Sequence, residues 1–208
     1  MVIKSNIKRL LQYRICLEKF KALGFTRVFS YNLGNDAGVS PEQVRKDFSI
    51  YGITGNKKAG YEISSLLDIL NRLFGMDKTQ NVIIVGMGNM GRALANYNNR
   101  FITQHVYIHS AFDVDPSKQN KKAGIEVRPM SMIPDIVARN KITTAIISVP
   151  AIAAQEVCNL LVEIGIKGIL NFAPVVLKAP EHIIINHINL SIEIEAIIFY
   201  LNEKLDTL

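Results

Sequence analysis

Three glycines set the first chemical question. Gly86, Gly88 and Gly91 form a GxGxxG that directly follows the β-branched run "NVIIV" and leads into "RALANY". In a strand–turn–helix context this pattern is a phosphate cradle. Gly86 permits the tight turn, Gly88 lets the backbone approach a pyrophosphate, and Gly91 allows close helix–strand packing. Met87, Asn89 and Met90 complete the loop, and the free N–H groups at the helix start favour anionic oxygens. Asp113 lies 22 residues after Gly91, near the ~20 expected of an acid that holds an adenosine ribose. Its charge would repel a 2′-phosphate, so the predicted ligand is NAD(H) rather than NADP(H). A loop or capping role is the competing reading of Asp113, and Asp115, just before Pro116, is the better candidate for a cap.

Catalytic partners for that cradle are hard to find. Hydride transfer needs a group that exchanges a proton with the substrate, commonly His, Lys or Tyr. His105 and His109 fall on or beside a predicted strand, and His182 and His187 flank another. Tyr200 and Lys204 make a YxxxK, but in the C-terminal helix, without an earlier Ser and with a glycine loop of the wrong spacing for short-chain dehydrogenases. Cys16 and Cys158 are isolated, so neither a disulfide framework nor a metal site is indicated. The sequence predicts a cofactor site and no catalytic residue.

The elements around the cradle alternate. A second strand runs over about 106–112, "TTAIISVPA" reads as a third, "AAQEVCNLLVEIG" as an amphipathic helix, "KGILNFAP" as a strand and loop, and "EHIIINHIN" as a last strand. Such alternation implies a doubly wound parallel sheet, the Rossmann arrangement of α/β proteins. Ligands sit beyond the strand ends in these sheets, which adds Val149 and Pro150, and the loop Asn171, Phe172, Ala173 and Pro174, to the candidate site. Phe172 packs either on a nicotinamide or only on the core. The final segment, "LSIEIEAIIFYLNEKL", is too apolar to stand alone, and a homodimer is a natural way to bury it.

Charge divides the chain. Of 24 Lys+Arg and 18 Asp+Glu, residues 1–75 hold 12 and 6, and the remainder 12 and 12. The whole excess of +6 therefore lies in the first third, which suggests an anionic partner, with nucleic acid leading and a solvated basic face as the alternative. A helix over about 3–23, with Ile7, Leu10, Leu11, Ile15, Phe20 and Leu23 inward, precedes a helix from a Ser30 cap to about Ala37. Gly38 then turns the chain. Ser40-Pro41-Glu42-Gln43 supplies a cap, a first-turn Pro and a Gln, and so opens another helix. This predicts a helix-turn-helix whose second helix enters a major groove, with Gln43 and Arg45 toward base edges and Lys46 toward a phosphate. Gly52, Gly55 and Gly60 around Asn56, Lys57 and Lys58 suggest the wing of a winged helix. The predicted domains are 1–77 for DNA binding, 78–190 for the nucleotide and 191–208 for dimerisation. No apolar run reaches the roughly 18 residues of a membrane span, and no signal peptide is evident, so a cytoplasmic protein is expected.

"GVSPEQVRKDFS", "GMGNMGRALANY", "AFDVDP", "VPAIAAQEV" and "GIKGILNFAPVVL", in that order, resemble the Rex family of bacterial redox-sensing transcriptional repressors along almost the whole chain. The resemblance implies a winged-helix domain for double-stranded operator DNA, and a Rossmann domain with NAD(H) as a regulatory ligand. It also implies a homodimer with exchanged C-terminal helices, in which NADH closes the dimer and releases DNA. By the same resemblance Tyr97 sits near the switch, with Arg14, Asn189 and Leu190 at the interface. The sequence departs from the family pattern at the wing, "IYGITGNKKAGY", where Thr54 replaces an aromatic residue. It departs again at Ile15, where an Arg is expected, and at Asn189, where an acid is. Two further readings stay open: a DNA-binding protein with an altered ligand response, and a nicotinamide-dependent oxidoreductase.

Overall fold

A computed structural model describes residues 5–56, 58–96, 105–119 and 125–205. Two compact units divide the chain, Val2–Lys78 and Thr79–Leu208.

The first unit is mostly helical. Helix α1 covers Ser5–Ala22, α2 Ser30–Ala37, α3 Pro41–Ile50 and α4 Ile63–Leu73, with two short strands, β1 (Arg27–Val28) and β2 (Tyr61–Glu62). Leu10, Tyr13, Leu17, Leu33, Phe48 and Leu70 form the fully buried centre. The ring of Phe48 meets Tyr13 edge-on at 5.5 Å and Tyr61 at 5.2 Å. The inward face of α1 differs from the expected one. Ile15 and Leu23 are 48% and 65% exposed, and Tyr13, Arg14 and Cys16 turn inward instead. Here tertiary packing, which fits the Tyr13 ring against Phe48, overrides hydrophobicity counted along the sequence.

The turn between α2 and α3 depends on two glycines. Gly38 ends α2 with φ of 70°, a left-handed conformation that favours glycine. A Cβ on Gly34 would lie 2.6 Å from the carbonyl oxygen of Val39, so only glycine lets the next loop cross so closely. Ser30 does not cap α2, because it is the first helical residue. Phe29 occupies the cap position, and its N–H donates to Asn32 Oδ1 at 3.0 Å. Ser40 caps α3 as its sequence suggests, accepting from the Gln43 N–H at 3.2 Å. Strands β1 and β2 pair antiparallel, and the Asn56–Gly60 bridge closes a hairpin-like wing ahead of β2.

The second unit is built on strands β3 (Gln80–Val85), β4 (Val106–Phe112), β5 (Val127–Arg128), β6 (Thr144–Ile147), β7 (Gly168–Asn171) and β8 (Ile184–His187). They form one parallel sheet in the order β5-β4-β3-β6-β7-β8. The helices are α5 (Asn89–Asn96), α6 (Ile133–Asn140), α7 (Ala151–Glu163) and α8 (Leu190–Leu205). Side chains of β3 alternate between two cores: Ile83 and Val85 join one cluster, Val82 and Ile84 another. A sheet with apolar material on both faces is the doubly wound architecture. Sequence reading missed β5 and α6. The first is two residues long, and the second begins at Ile133-Pro134 with only eight residues. The sheet order reverses between β3 and β6, and the carboxyl ends of these two strands open a crevice there.

Helix α8 keeps its apolar residues uncovered: Leu190, Ile194, Ile197, Ile198 and Leu201 are each more than half exposed. Asn189 is its cap, accepting from the Ser191 N–H at 3.1 Å. No helix among the described residues is long and apolar enough to cross a membrane.

Candidate nucleotide site and DNA-binding surface

A cavity of about 440 Å³ opens at the crevice between β3 and β6. Gly86, Gly88, Asn89 and Met90 line one side, Asp113, Val114, Asp115 and Lys118 a second, and Ser148, Val149 and Pro150 a third. The glycines explain the shape. Gly86 has φ of 98°, and a Cβ on Gly91 would lie 2.0 Å from the Gly86 carbonyl oxygen, an impossible contact. Gly88 is different, because a Cβ there would meet no protein atom within 4 Å. Packing of the protein on itself therefore does not require glycine at 88, whereas a phosphate group lying against that backbone does. The first turn of α5 begins beside it, and its N–H groups have no partner within the helix. These residues fit the pyrophosphate of a dinucleotide.

Asp113 is nearly buried, and both of its carboxylate oxygens are engaged. Oδ2 accepts from the Met87 N–H at 2.7 Å, and Oδ1 from the Asp115 N–H at 2.9 Å. It thus clasps the glycine loop to the end of β4. Met87 is itself buried as part of that loop. Asp115 caps the short 3-10 turn Pro116–Lys118 by accepting from the Ser117 N–H, which holds its carboxyl below the ordinary range. Lys118 Nζ stands 3.4 Å from Asp113 and 3.8 Å from Asp115.

Ser148 and Lys118 escaped sequence reading. Ser148 Oγ donates to the Gly86 carbonyl at 2.8 Å, so it ties the glycine loop to β6. Its signal was present in the "SVP" that follows the strand. The second predicted loop is placed apart from this cavity lining. Asn171 is fully buried and spans its own turn: its amide donates to Val175 O at 2.8 Å, and its Oδ1 accepts from the Ala173 N–H at 3.0 Å. Phe172 is half-buried, Ala173 buried and Pro174 exposed. Among the described residues no group of His, Cys, Asp and Glu could hold a metal ion. Both cysteines are buried, and burial with an Asp36 contact pushes Cys16 up to about 12.

In the first unit Arg45 and Lys46 project from α3 into solvent. Arg45 donates to Ser30 Oγ at 2.9 Å and pairs with Glu42. Gln43 is half-buried, its amide donating to Asp47 Oδ1 at 2.9 Å. Asp47 is the anchor that sequence reading did not find. It has no exposed surface, and it also accepts from Arg9 at 2.6 and 2.7 Å and from Tyr13 Oη at 2.9 Å. On the wing, Asn56 Oδ1 accepts from the Lys58 and Ala59 N–H groups and shapes the turn. Lys57 and Tyr97 lie outside the described residues. Arg14 is buried in the first unit, paired with Glu18 at 2.6 Å and within 3.4 Å of Asn71.

Comparison with known proteins gives this pairing of units a family. A model described as "Putative DNA-binding protein N-terminus" matches residues 3–49, and one described as "CoA binding domain" matches residues 77–175. The redox-sensing transcriptional repressor Rex of Carboxydothermus hydrogenoformans is 38% identical over 197 residues, 94% of each chain. This chain belongs to the Rex family. The Rex of Pelotomaculum thermopropionicum is 36% identical over 204 residues, covering 98% of this chain and 95% of that one. Among solved Rex structures, RSP in complex with β-NAD⁺ and operator DNA superposes with a TM-score of 0.87 at 35% identity, over 98% of this chain and 94% of that chain. RSP in complex with β-NADH gives 0.81 at 34% identity, over 98% and 96%. The α/β architecture expected for a Rex protein, a DNA-binding N-terminal unit ahead of a Rossmann unit, is the one observed.

Proposed function

We propose that this Rex protein is a homodimeric repressor that binds double-stranded operator DNA in the cytoplasm and takes NAD(H) as a regulatory ligand. One observation carries the reading: the empty space over Gly88, in a cavity floored by the helix start and Asp113. The loop from Gly86 to Gly91 holds the pyrophosphate, with the α5 N-terminus opposing its charge. The nicotinamide supplies no chemistry to a substrate here; its oxidation state is the signal. Recognition helix α3 and the wing, with Ser40, Gln43, Arg45, Lys46, Asn56, Lys57 and Lys58, contact the DNA. The open stripe of α8 is the dimer contact, and a two-fold pair of α3 helices suits two half-sites. NADH acts by population shift, binding the closed dimer better than the DNA-competent one.

A second reading, a Rex with an altered ligand response, is favoured by the burial of Arg14 against Glu18 and by the neutral cap Asn189. Neither offers a free charge to a switch.

Replacing Asp113 by Ala tests the site. Losing the clasp on Met87 frees the glycine loop, and NADH affinity should fall by about tenfold or more, since a charge-assisted hydrogen bond contributes ~1.5–3 kcal/mol. Equal NADH affinity in variant and parent, by fluorescence titration, would remove Asp113 from the site.

A further inference from the structure

The outward face of the recognition helix carries an acid. Residues 42, 45, 46 and 49 of α3 recur at the i, i+3, i+4, i+7 spacing of a single helix face, and Glu42, Arg45, Lys46 and Ser49 are all exposed. Val44, Asp47 and Phe48 are buried on the opposite face. Gln43, between the two, donates its amide to Asp47 Oδ1 at 2.9 Å and so turns toward its own unit. The first turn therefore presents Glu42, 74% exposed, rather than Gln43. The Glu42 carboxylate pairs with Arg45 Nη2, and Arg45 Nη1 donates to Ser30 Oγ, at the start of α2, at 2.9 Å. The guanidinium is thus held from two sides, although 52% of the Arg45 side chain is exposed. Ser30 and Arg45 also line a cavity of about 320 Å³ with Gly55 and Asn56 of the wing, which leaves open space beside the guanidinium.

We propose that Glu42 is a positioning residue that sets operator specificity: it fixes the Arg45 guanidinium for a guanine edge and repels the phosphates of DNA of the wrong sequence. The proposal rests on the reading of α3 as the recognition helix. Each terminal nitrogen of Arg45 keeps a second N–H after these bonds, so the fork can still meet guanine O6 and N7. An arginine that is not held reaches phosphates as readily as bases, and phosphate contacts carry no sequence information. The sign of the charge matters as well. With 12 Lys+Arg against 6 Asp+Glu in residues 1–75, this part of the chain has ample attraction for any duplex. On a matching sequence Glu42 aims Arg45 at its base. On any other sequence the same carboxylate only repels, and it withholds Arg45 from the phosphates. An acid in the first turn also stabilises a helix start, but that role alone predicts no effect on sequence preference.

The test is fluorescence anisotropy of the 208-residue chain on two labelled duplexes at one fixed salt concentration. One duplex is the sequence that the parent recovers from a randomised pool, and the other is a scrambled copy of it. Glu42→Gln should tighten binding to the scrambled duplex by about threefold per copy of the chain, the order expected for removing one unit charge about 6 Å from a phosphate in water. It should leave the selected duplex bound no tighter than before, so the ratio of the two affinities falls. Selection repeated with this variant should relax the preference at one base pair. Glu42→Asp keeps the charge at the helix start but shortens the reach to Arg45, so it should weaken the selected duplex and leave the scrambled one unchanged. Equal tightening of both duplexes by Glu42→Gln, or an affinity ratio that does not move, would overturn the proposal, whatever happens to the melting midpoint. If Arg45→Ala abolishes specificity and Glu42→Gln leaves the ratio unmoved, the proposal alone fails. If Arg45→Ala binds the selected duplex as tightly as the parent does, the recognition-helix reading fails with it. A parent that recovers no preferred sequence would overturn both.

Discussion

Replacing Asp47 by Asn removes one charge from the centre of the DNA-binding unit and almost no volume. Asp47 is fully buried and accepts four hydrogen bonds: two from Arg9, one from Tyr13 and one from Gln43. Breaking a buried ion pair costs about 3–5 kcal/mol, because the remaining charge loses its compensation. Arg9 is 28% exposed, so water recovers part of this, and Asn can still accept from Tyr13. The expected loss is about 2–4 kcal/mol. For a unit of this size each kcal/mol lowers the melting midpoint by about 4–8 °C, giving a drop of roughly 10–25 °C.

The same substitution changes the response to pH. Burial would raise the Asp47 pKa, but the bonds from Arg9, Tyr13 and Gln43 outweigh it and hold the carboxyl below its ordinary value. A depressed folded-state pKa stabilises fully above the unfolded value of about 3.9 and loses that effect as pH falls through the folded one. The parent's first unit should therefore lose stability below about pH 4, and the variant should lack this component. Thermal unfolding of the full chain by circular dichroism reads the midpoint, with operator binding and NADH binding measured alongside. Operator affinity should fall and NADH affinity persist. A midpoint within about 2 °C of the parent's would refute the buried-charge reasoning.

Two further substitutions probe the two surfaces. Gly88→Ala should fold normally, since its Cβ meets nothing within 4 Å, yet weaken NADH, whereas Gly91→Ala places a Cβ 2.0 Å from a carbonyl and should cost both folding and binding. Unchanged NADH affinity in a folded Gly88→Ala protein would contradict the cradle. Arg45→Ala should abolish specific operator binding and leave NADH binding intact, as measured by anisotropy with specific and scrambled duplexes. Unchanged operator affinity would remove α3 from the recognition surface.

How much of this was legible in the sequence follows from which signals are local. The glycine loop could be read because its spacing reports backbone geometry directly. Ser40-Pro41 could be read because a cap and a first-turn proline act within four residues. Strands β3, β4, β6, β7 and β8 announced themselves as apolar runs. What escaped depends on partners distant in sequence. Asp47 stands in "VRKDF", where it looks like one more solvated charge, and its burial requires Arg9, 38 residues earlier. Arg14 was placed at the interface by the family resemblance, while its burial follows from how α1 packs. Ser30 had the chemistry of a cap, but Phe29 took the position and left the Ser30 hydroxyl to Arg45. Asp113 lies against the glycine loop. Its engagement with the Met87 N–H could not be inferred from a spacing.

The central claim is that nucleotide binding in the second unit governs DNA binding by the first. Its most direct test is fluorescence anisotropy of the 208-residue chain on a labelled operator duplex. NADH, NAD⁺ and an adenine nucleotide are titrated at one fixed salt concentration, since phosphate contacts make affinity strongly salt-dependent. NADH should release the operator at concentrations where NAD⁺ and the adenine nucleotide leave it bound. Saturation of the chain with NADH and no change in operator affinity would contradict the account, because a ligand without differential affinity for two states shifts neither.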